Sequence, residues 1–316
     1  MVLLLGSCFY RNLPRQRLEV EEVMNIALVV NPISGGGKGR KMGESIAREL
    51  TARGIQFTLV RESSSADTLI CLKRIAESTP FTLILGVGGD GLAHLLFPKA
   101  IEMQIPIFIA PAGTGNDFAR STGTFGLNAV NVVNAILQEE PVLIDMGLAE
   151  RGDERIWFGQ VLSTGFDSLV NERANAYKVI RGKIKYIIAT ARELPFFVPR
   201  TYKMTIDETV IETGAMLVAI ANGRSYGGGM QVCPDADLQD GLFDVLLLKP
   251  IPVREFVRVF PKVFSGKHVS HPAVEIRRAK SVTLDSNAIA YADGERIGSL
   301  PIKVTNKPNA MLTWVL

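Results

Sequence analysis

Two regimes of hydrophobic patterning divide the chain. From residue 25 to about 139, short apolar runs alternate with amphipathic ones. "NIALVV" (25–30) reads as a strand buried on both faces. "RKMGESIARELTARG" (40–54) follows, with Met42, Ile46 and Leu50 on one helical face and Gly54 as the stop. "IQFTLV", "FTLILGV" and "IPIFIAP" predict further strands. "DTLICLKRIAES", "LAHLLFPKAIEM" and "LNAVNVVNAIL" predict helices, the second with a kink or break at Pro98. Such alternation predicts a parallel sheet with helices on both faces, whose ligands sit beyond the carboxyl ends of the strands. Three loops follow strands there, "NPISGGGKGR", "GGDG" and "PAGTGND", and should line one crevice.

Past residue 140 the pattern changes to short strand-like runs separated by charged turns or glycine. "IWFGQVLS", "YKMTI", "GAMLVAIAN", "LFDVLLL", "PIKVT" and "AMLTWVL" are examples. Two helical stretches interrupt them, "KIKYIIATARELPFF" and "VREFVRVFPKVFSG". The expected fold class is α/β. A nucleotide-binding domain with a parallel sheet (25–139) precedes a mostly antiparallel, β-sandwich-like domain (140–316), whose last strands are free to return to the first. Residues 1–24 read as a tail.

Composition adds limits. The chain has 316 residues, 47% hydrophobic and 21% charged, as in an ordinary globular protein. Lys plus Arg exceeds Asp plus Glu by 35 − 32 = 3. That surplus is too small to indicate nucleic acid, yet it permits weak attraction to an anionic membrane. Cys8, Cys71 and Cys233 are widely spaced and read as reduced thiols of a cytoplasmic protein. No apolar run reaches the roughly 18 residues of a membrane span. "MVLLLGSC" loosely resembles a lipoprotein cleavage site but lacks a basic leading segment, so a tail, or a start at Met24, is expected instead.

Chemistry concentrates at the loops. "GVGGDG" (86–91) satisfies G-x-G-x-x-G between a strand and a helix, where free N–H groups and the helix dipole suit a phosphate. Asp90 would repel a pyrophosphate unless a cation such as Mg²⁺ intervened. A tight turn without ligand is the plainer alternative. "NPISGGGKGR" is not a Walker loop, since Gly39 follows Lys38, but its amides, Ser34 and Lys38 can still face phosphates. "PAGTGNDFAR" presents Thr114, Asn116 and Asp117, the last also a candidate helix cap. "PDADLQDGLFD" is either a solvated turn or a wrap for a hard cation. "YADGERIG" sets Asp293 and Glu295 two apart. They share one face of an extended chain, or else form part of a polar hairpin turn.

In that order, "NPISGGGKG", "GGDG", "PAGTGNDFAR", "PDADLQDGLFDV" and "ADGE" resemble the bacterial diacylglycerol kinase family of lipid kinases. "VNERAN" and "ANGRSYGGGM" look like actinobacterial-type members. The likeness runs from Asn25 to the C-terminus. It implies ATP and Mg²⁺ as cofactors and phosphorylation of a primary lipid hydroxyl, with diacylglycerol becoming phosphatidic acid. It implies nucleotide contacts from Asn31, Pro32, Ser34, Gly35, Gly88, Gly89, Gly91, Thr114 and Asn116. Asp90 would sit by the phosphates and Mg²⁺, Asp117 and Arg120 would organise the third loop, and Glu295 would be the general base with Asp293 beside it. A second, structural Mg²⁺ would use Asp240 and the carbonyls of Asp237 and Leu242. Leu92 departs from the family's usual Thr and removes a hydroxyl from the phosphate loop. That departure leaves a regulatory nucleotide- and lipid-binding protein as an alternative, and the GGDG loop alone also admits an NAD kinase. A lipid kinase without a span has to visit the membrane surface reversibly. Residues 177–200 mix apolar and basic side chains, Lys183 and Lys185 among them, and suit an anionic surface. A helix packed on the second domain is the alternative there. A homodimer is compatible with the sequence.

Overall fold

The computed structural model describes residues 24–177 and 183–316. Its first half builds β1 (Asn25–Val30), α1 (Ser34–Ala52), β2 (Gln56–Val60), α2 (Ser65–Ser78), β3 (Leu83–Gly88), α3 (Asp90–Met103), β4 (Ile107–Pro111), α4 (Asp117–Ser121) and α5 (Ala129–Gln138). Strands run parallel in the order β2-β1-β3-β4. Alternate residues of β1 serve opposite cores. Ile26 and Leu28 pack with Ile46, Leu50 and Val132 of α1 and α5, whereas Ala27 and Val29 pack with Leu72 and Leu96 of α2 and α3. The predicted strand–helix alternation is thus realised, and α3 runs on through Pro98.

The second half comprises β5 (Val142–Arg151), β6 (Glu154–Phe158), β7 (Val161–Gly165), α6 (Phe166–Ala176), α7 (Lys183–Glu193), β8 (Arg200–Ile206), β9 (Thr209–Ala215), β10 (Leu217–Ala221), β11 (Phe243–Leu248), α8 (Val253–Val259), β12 (Val274–Ala279), β13 (Ser281–Asp285), β14 (Ile289–Ala292), β15 (Glu295–Ser299) and β16 (Ile302–Thr313). An all-antiparallel sheet has the order β12-β11-β10-β7-β14-β15. Opposite it, β16, β13, β8 and β9 continue the first sheet, β16 running parallel to β4 through Thr313 and Ile107. Tyr202, Val282 and Val304 of that extension meet Val218, Phe243 and Val245 of the antiparallel sheet in a sandwich core. The outer face of the antiparallel sheet, including Ala219 and Leu246, is covered by Phe166, Val170, Ala189 and Phe256 from α6, α7 and α8.

Three local expectations change. "IWFGQVLS" is not one strand, because the chain turns at Gly159–Gln160 and sends β6 and β7 into different sheets. A third helix, α6, joins the two expected in the second half. "VREFVRVFPKVFSG" is helical only to Val259 and continues as a 3-10 turn (Phe260–Ser265) containing Pro261, which has no N–H to donate.

Candidate active site

All three loops converge at the carboxyl ends of β1, β3 and β4. After β1, Asn31 Oδ1 accepts the Ile33 amide at 3.2 Å and closes the turn into α1. Gly35, Gly36 and Gly37 then take φ of 56°, 70° and 97°, a left-handed run that residues with a Cβ resist. After β3, Gly89 packs directly on Gly113 of the loop after β4. A methyl group at Gly113 would lie 2.4 Å from Gly89 Cα. Part of the glycine density in "GVGGDG" therefore serves loop-on-loop packing. Asn116 staples the third loop, accepting the Gly113 amide at 2.8 Å and donating to the Gly113 carbonyl at 3.0 Å. Those bonds use one N–H and one lone pair of the amide, and Thr114 beside it is exposed.

Asp90 opens α3, and its Oδ1 accepts the Phe118 amide at 3.1 Å. Burial first, then the negative charges of Asp117 and Asp293, push its pKa up from 3.8 to about 6, against the opposing pull of the Phe118 and Asp117 amides. Asp117 is buried and reaches across to the segment before β11. It accepts the Gly228 and Gly229 amides, each at 2.7 Å, and the Ser225 hydroxyl at 3.2 Å. Arg120 stacks 3.6 Å above the Phe125 ring.

Asp293 and Glu295 do not share a face. Asp293 and Gly294 have φ of 51° and 87° and form the two-residue turn between β14 and β15, so the polar hairpin is the reading that applies. Asp293 points inward, accepting the Gly159, Gln160 and Val161 amides at 2.8, 2.9 and 3.2 Å and meeting His94 Nδ1 at 3.4 Å. Burial lowers the His94 pKa, but the hydrogen bond and charge of Asp293 and the charge of Glu295 outweigh it, and the net shift is upward. Glu295 is exposed and leans toward Gly91. Leu92 is 8% exposed and lies beneath the loop against Gly88, a core residue of α3.

Two cavities meet at this point. A polar cleft of about 420 Å³ is lined by Asn31, Ser34, Gly35, Ser65, Gly89, Asp90, Gly91, Thr114 and Glu295, among others. A larger, mostly apolar chamber of about 980 Å³ lies between the outer face of the antiparallel sheet and α6, α7 and α8. Asp90 and Thr114 line both. Sequence reasoning missed Ser65 in the cleft. It also missed a polar cluster in the chamber, where Asp167 accepts the Ser163 hydroxyl at 2.5 Å and bonds Tyr226. Burial raises the Asp167 pKa. "ANGRSYGGGM", whose glycines hold Asp117, was the one local signal for that region.

The turn carrying Asp237, Asp240 and Leu242 lies elsewhere. The Asp240 carboxylate pairs with Arg278 and accepts the Leu242 amide at 2.9 Å, and Asp237 accepts the Gln239 amide at 3.0 Å. Buried Asp145 holds this turn through the Gly241 amide at 2.6 Å. Of the segment expected to face a membrane, residues 178–182 and the side chains of Lys183 and Lys185 lie outside the described residues. Phe196, at its far end, is 84% exposed.

Residues 25–149 match the family model for the diacylglycerol kinase catalytic domain, and residues 160–315 match the YegS C-terminal NAD kinase beta sandwich-like domain. A diacylglycerol kinase of Mycobacterium tuberculosis (strain ATCC 25618 / H37Rv) is 33% identical over 300 residues, covering 93% of this chain and 96% of the relative. The chain belongs to the diacylglycerol kinase family. It is accordingly a lipid kinase, and the family implies ATP use. A diacylglycerol kinase of Bacillus subtilis (strain 168) is 24% identical over 284 residues, covering 88% of this chain and 92% of its own. The crystal structure of a diacylglycerol kinase from Bacillus anthracis str. Sterne shares the fold. Its TM-score is 0.68 at 19% identity, over 93% of this chain and 97% of that one.

Proposed function

We propose that this protein phosphorylates the primary hydroxyl of diacylglycerol with ATP and Mg²⁺, giving phosphatidic acid for phospholipid synthesis. The observation that carries this reading is the shared border of the two cavities: a polar cleft and an apolar chamber meet at Asp90 and Thr114. Residues 25–139 hold the nucleotide and residues 140–316 the lipid. Asn31, Pro32, Ser34, Gly35, Gly88, Gly89, Gly91 and Thr114 bind and orient the phosphates, and the chamber takes the acyl chains and excludes water. The protein works from the cytoplasmic side, visiting an anionic membrane surface. No helix among the described residues is long and apolar enough to cross a membrane.

Asp90 stands close to two further carboxyls, Asp117 and Asp293, whose charges act on it. That donor set suits a hard cation held by one or two carboxylates together with phosphate and water oxygens. Among the described residues no three His, Cys, Asp or Glu side chains form a ready cage, so the nucleotide would supply most of the ligands. Mg²⁺ would neutralise phosphate charge beside Asp90. At Asp237, Asp240 and Leu242 the fit fails as arranged, because the Asp240 carboxylate is committed to Arg278.

In the transfer, the lipid hydroxyl oxygen bonds to the γ-phosphorus, the bond to the ADP oxygen breaks, and the hydroxyl proton passes to Glu295. A second reading has an observation in its favour. Asp90, unlike Glu295, lines both cavities, so a carboxylate oxygen not bound to the metal would be placed to take the proton itself. Glu295→Gln separates the two. A general base is worth about 10²–10⁴ in kcat. A loss of that size with little change in KM supports Glu295, and near-normal turnover assigns the proton to Asp90.

A further inference from the structure

One wall of the apolar chamber reaches the outside. Phe256, Phe260 and Phe264 recur every fourth residue through α8 and the 3-10 turn after it. Ring centroids step outward from Phe166 to Phe256 at 5.2 Å, to Phe260 at 5.5 Å and to Phe264 at 6.4 Å. The inner rungs, Phe166 and Phe256, are buried, while Phe260 is 37% and Phe264 51% exposed. All four line the chamber. The ladder is thus a continuous apolar track from the cavity interior to the surface. Val253 and Val257 extend it along α8, at 40% and 57% exposure.

Charge accompanies this apolar face. Arg254, Arg258 and Lys262 are exposed on the same stretch, and none joins an ion pair among the described residues. Glu255, the only acid between residues 253 and 267, is paired with His271 at 3.0 Å. Exposed apolar side chains interleaved with unpaired cations fit an interface where acyl chains lie beside anionic headgroups.

We propose that α8 and its following turn seat on an anionic bilayer, and that the phenylalanine ladder is the route by which an acyl lipid passes from the bilayer into the chamber. This rests on the lipid-kinase reading of the chamber and names a docking surface other than residues 177–200. The chain leaves its lipid tails in contact with apolar surface throughout the transfer, so the hydrocarbon is never exposed to water.

The test uses the full chain with vesicles of phosphatidylcholine, alone or mixed with phosphatidylglycerol. Arg254→Gln with Arg258→Gln removes two surface charges and is expected to weaken binding to the mixed vesicles about 25-fold. Neither residue lines the chamber, so phosphorylation of short-chain diacylglycerol dispersed as monomers stays at the wild-type rate, while phosphorylation of vesicle-embedded lipid falls. Val253→Trp reports contact directly: its added emission shifts to the blue on mixed vesicles, and that of Ile70→Trp on α2 does not. Unchanged vesicle binding by the arginine variant, or no shift at position 253, overturns the proposal. A shift that follows protein concentration rather than vesicles identifies a second copy of the chain as the occupant and also overturns it. Failure of wild type to phosphorylate the dispersed lipid would instead refute the diacylglycerol reading, and the fluorescence result still decides the docking surface.

Discussion

Replacing Asp90 with Asn should make the nucleotide-free protein more stable while abolishing turnover. The carboxyl titrates at about 6 in the folded chain against 3.8 in its ordinary state, because burial and the charges of Asp117 and Asp293 disfavour its ionised form. A raised acid pKa costs stability above the folded value, and the cost vanishes below the unfolded one. Linkage puts it at about 3 kcal/mol at pH 7 and about 1 kcal/mol at pH 4.5. Asn keeps an oxygen for the Phe118 amide but loses a negative charge at the start of α3, worth about 0.3–1 kcal/mol. The net gain at pH 7 is about 2 kcal/mol, or a rise of about 3 °C in Tm for a chain of 316 residues. Thermal unfolding of both proteins at pH 7 and pH 4.5 reads the effect. The difference should shrink to about 1 kcal/mol at the lower pH, where the folded carboxyl is already protonated. An Asn variant no more stable than wild type at pH 7, or a gap that does not change with pH, would refute the electrostatic account of the site.

Leu92→Thr restores a hydroxyl beside the phosphates but removes apolar bulk from beneath Gly88. It should lower the KM for ATP while costing about 2–3 kcal/mol of stability, read by paired kinetics and denaturant unfolding. Asp117→Ala strands the Gly228 and Gly229 amides, and a loss of about 2–5 kcal/mol in urea unfolding is expected, larger than for any exposed Asp→Ala change. His94→Gln removes a group whose pKa is raised on folding. Its stabilisation is complete below the ordinary histidine value and is lost as pH rises through the folded one. The Tm deficit of the variant should therefore be larger at pH 6 than at pH 8.

What was legible in the sequence follows from locality. Continuous apolar runs between amphipathic helices announced the parallel sheet, and each glycine-rich loop directly after a strand announced one wall of the cleft. The hidden parts are set by long-range pairing. Nothing near residues 302–313 says that β16 will run beside β4, because its partner lies some two hundred positions away. Asp117 reads as a helix cap until Gly228 and Gly229 are brought to it. For Asp293 and Glu295 the decisive signal was local: Asp-Gly between two strand-like runs favours positive φ at both residues, and this turns the first carboxylate inward and the second out. Asp167 carried no motif at all, since its role comes from facing a chamber built by helices and strands distant in the chain.

Lipid phosphorylation is read out by incubating the protein with [γ-³²P]ATP, Mg²⁺ and, separately, dispersed diacylglycerol, a long-chain amino alcohol, phosphatidylglycerol and NAD. Labelled phosphatidic acid is expected from diacylglycerol, lost in Asp90→Asn and absent when Mg²⁺ is chelated. Label on NAD in place of lipid, or bound ATP with no labelled product from any acceptor, would contradict it.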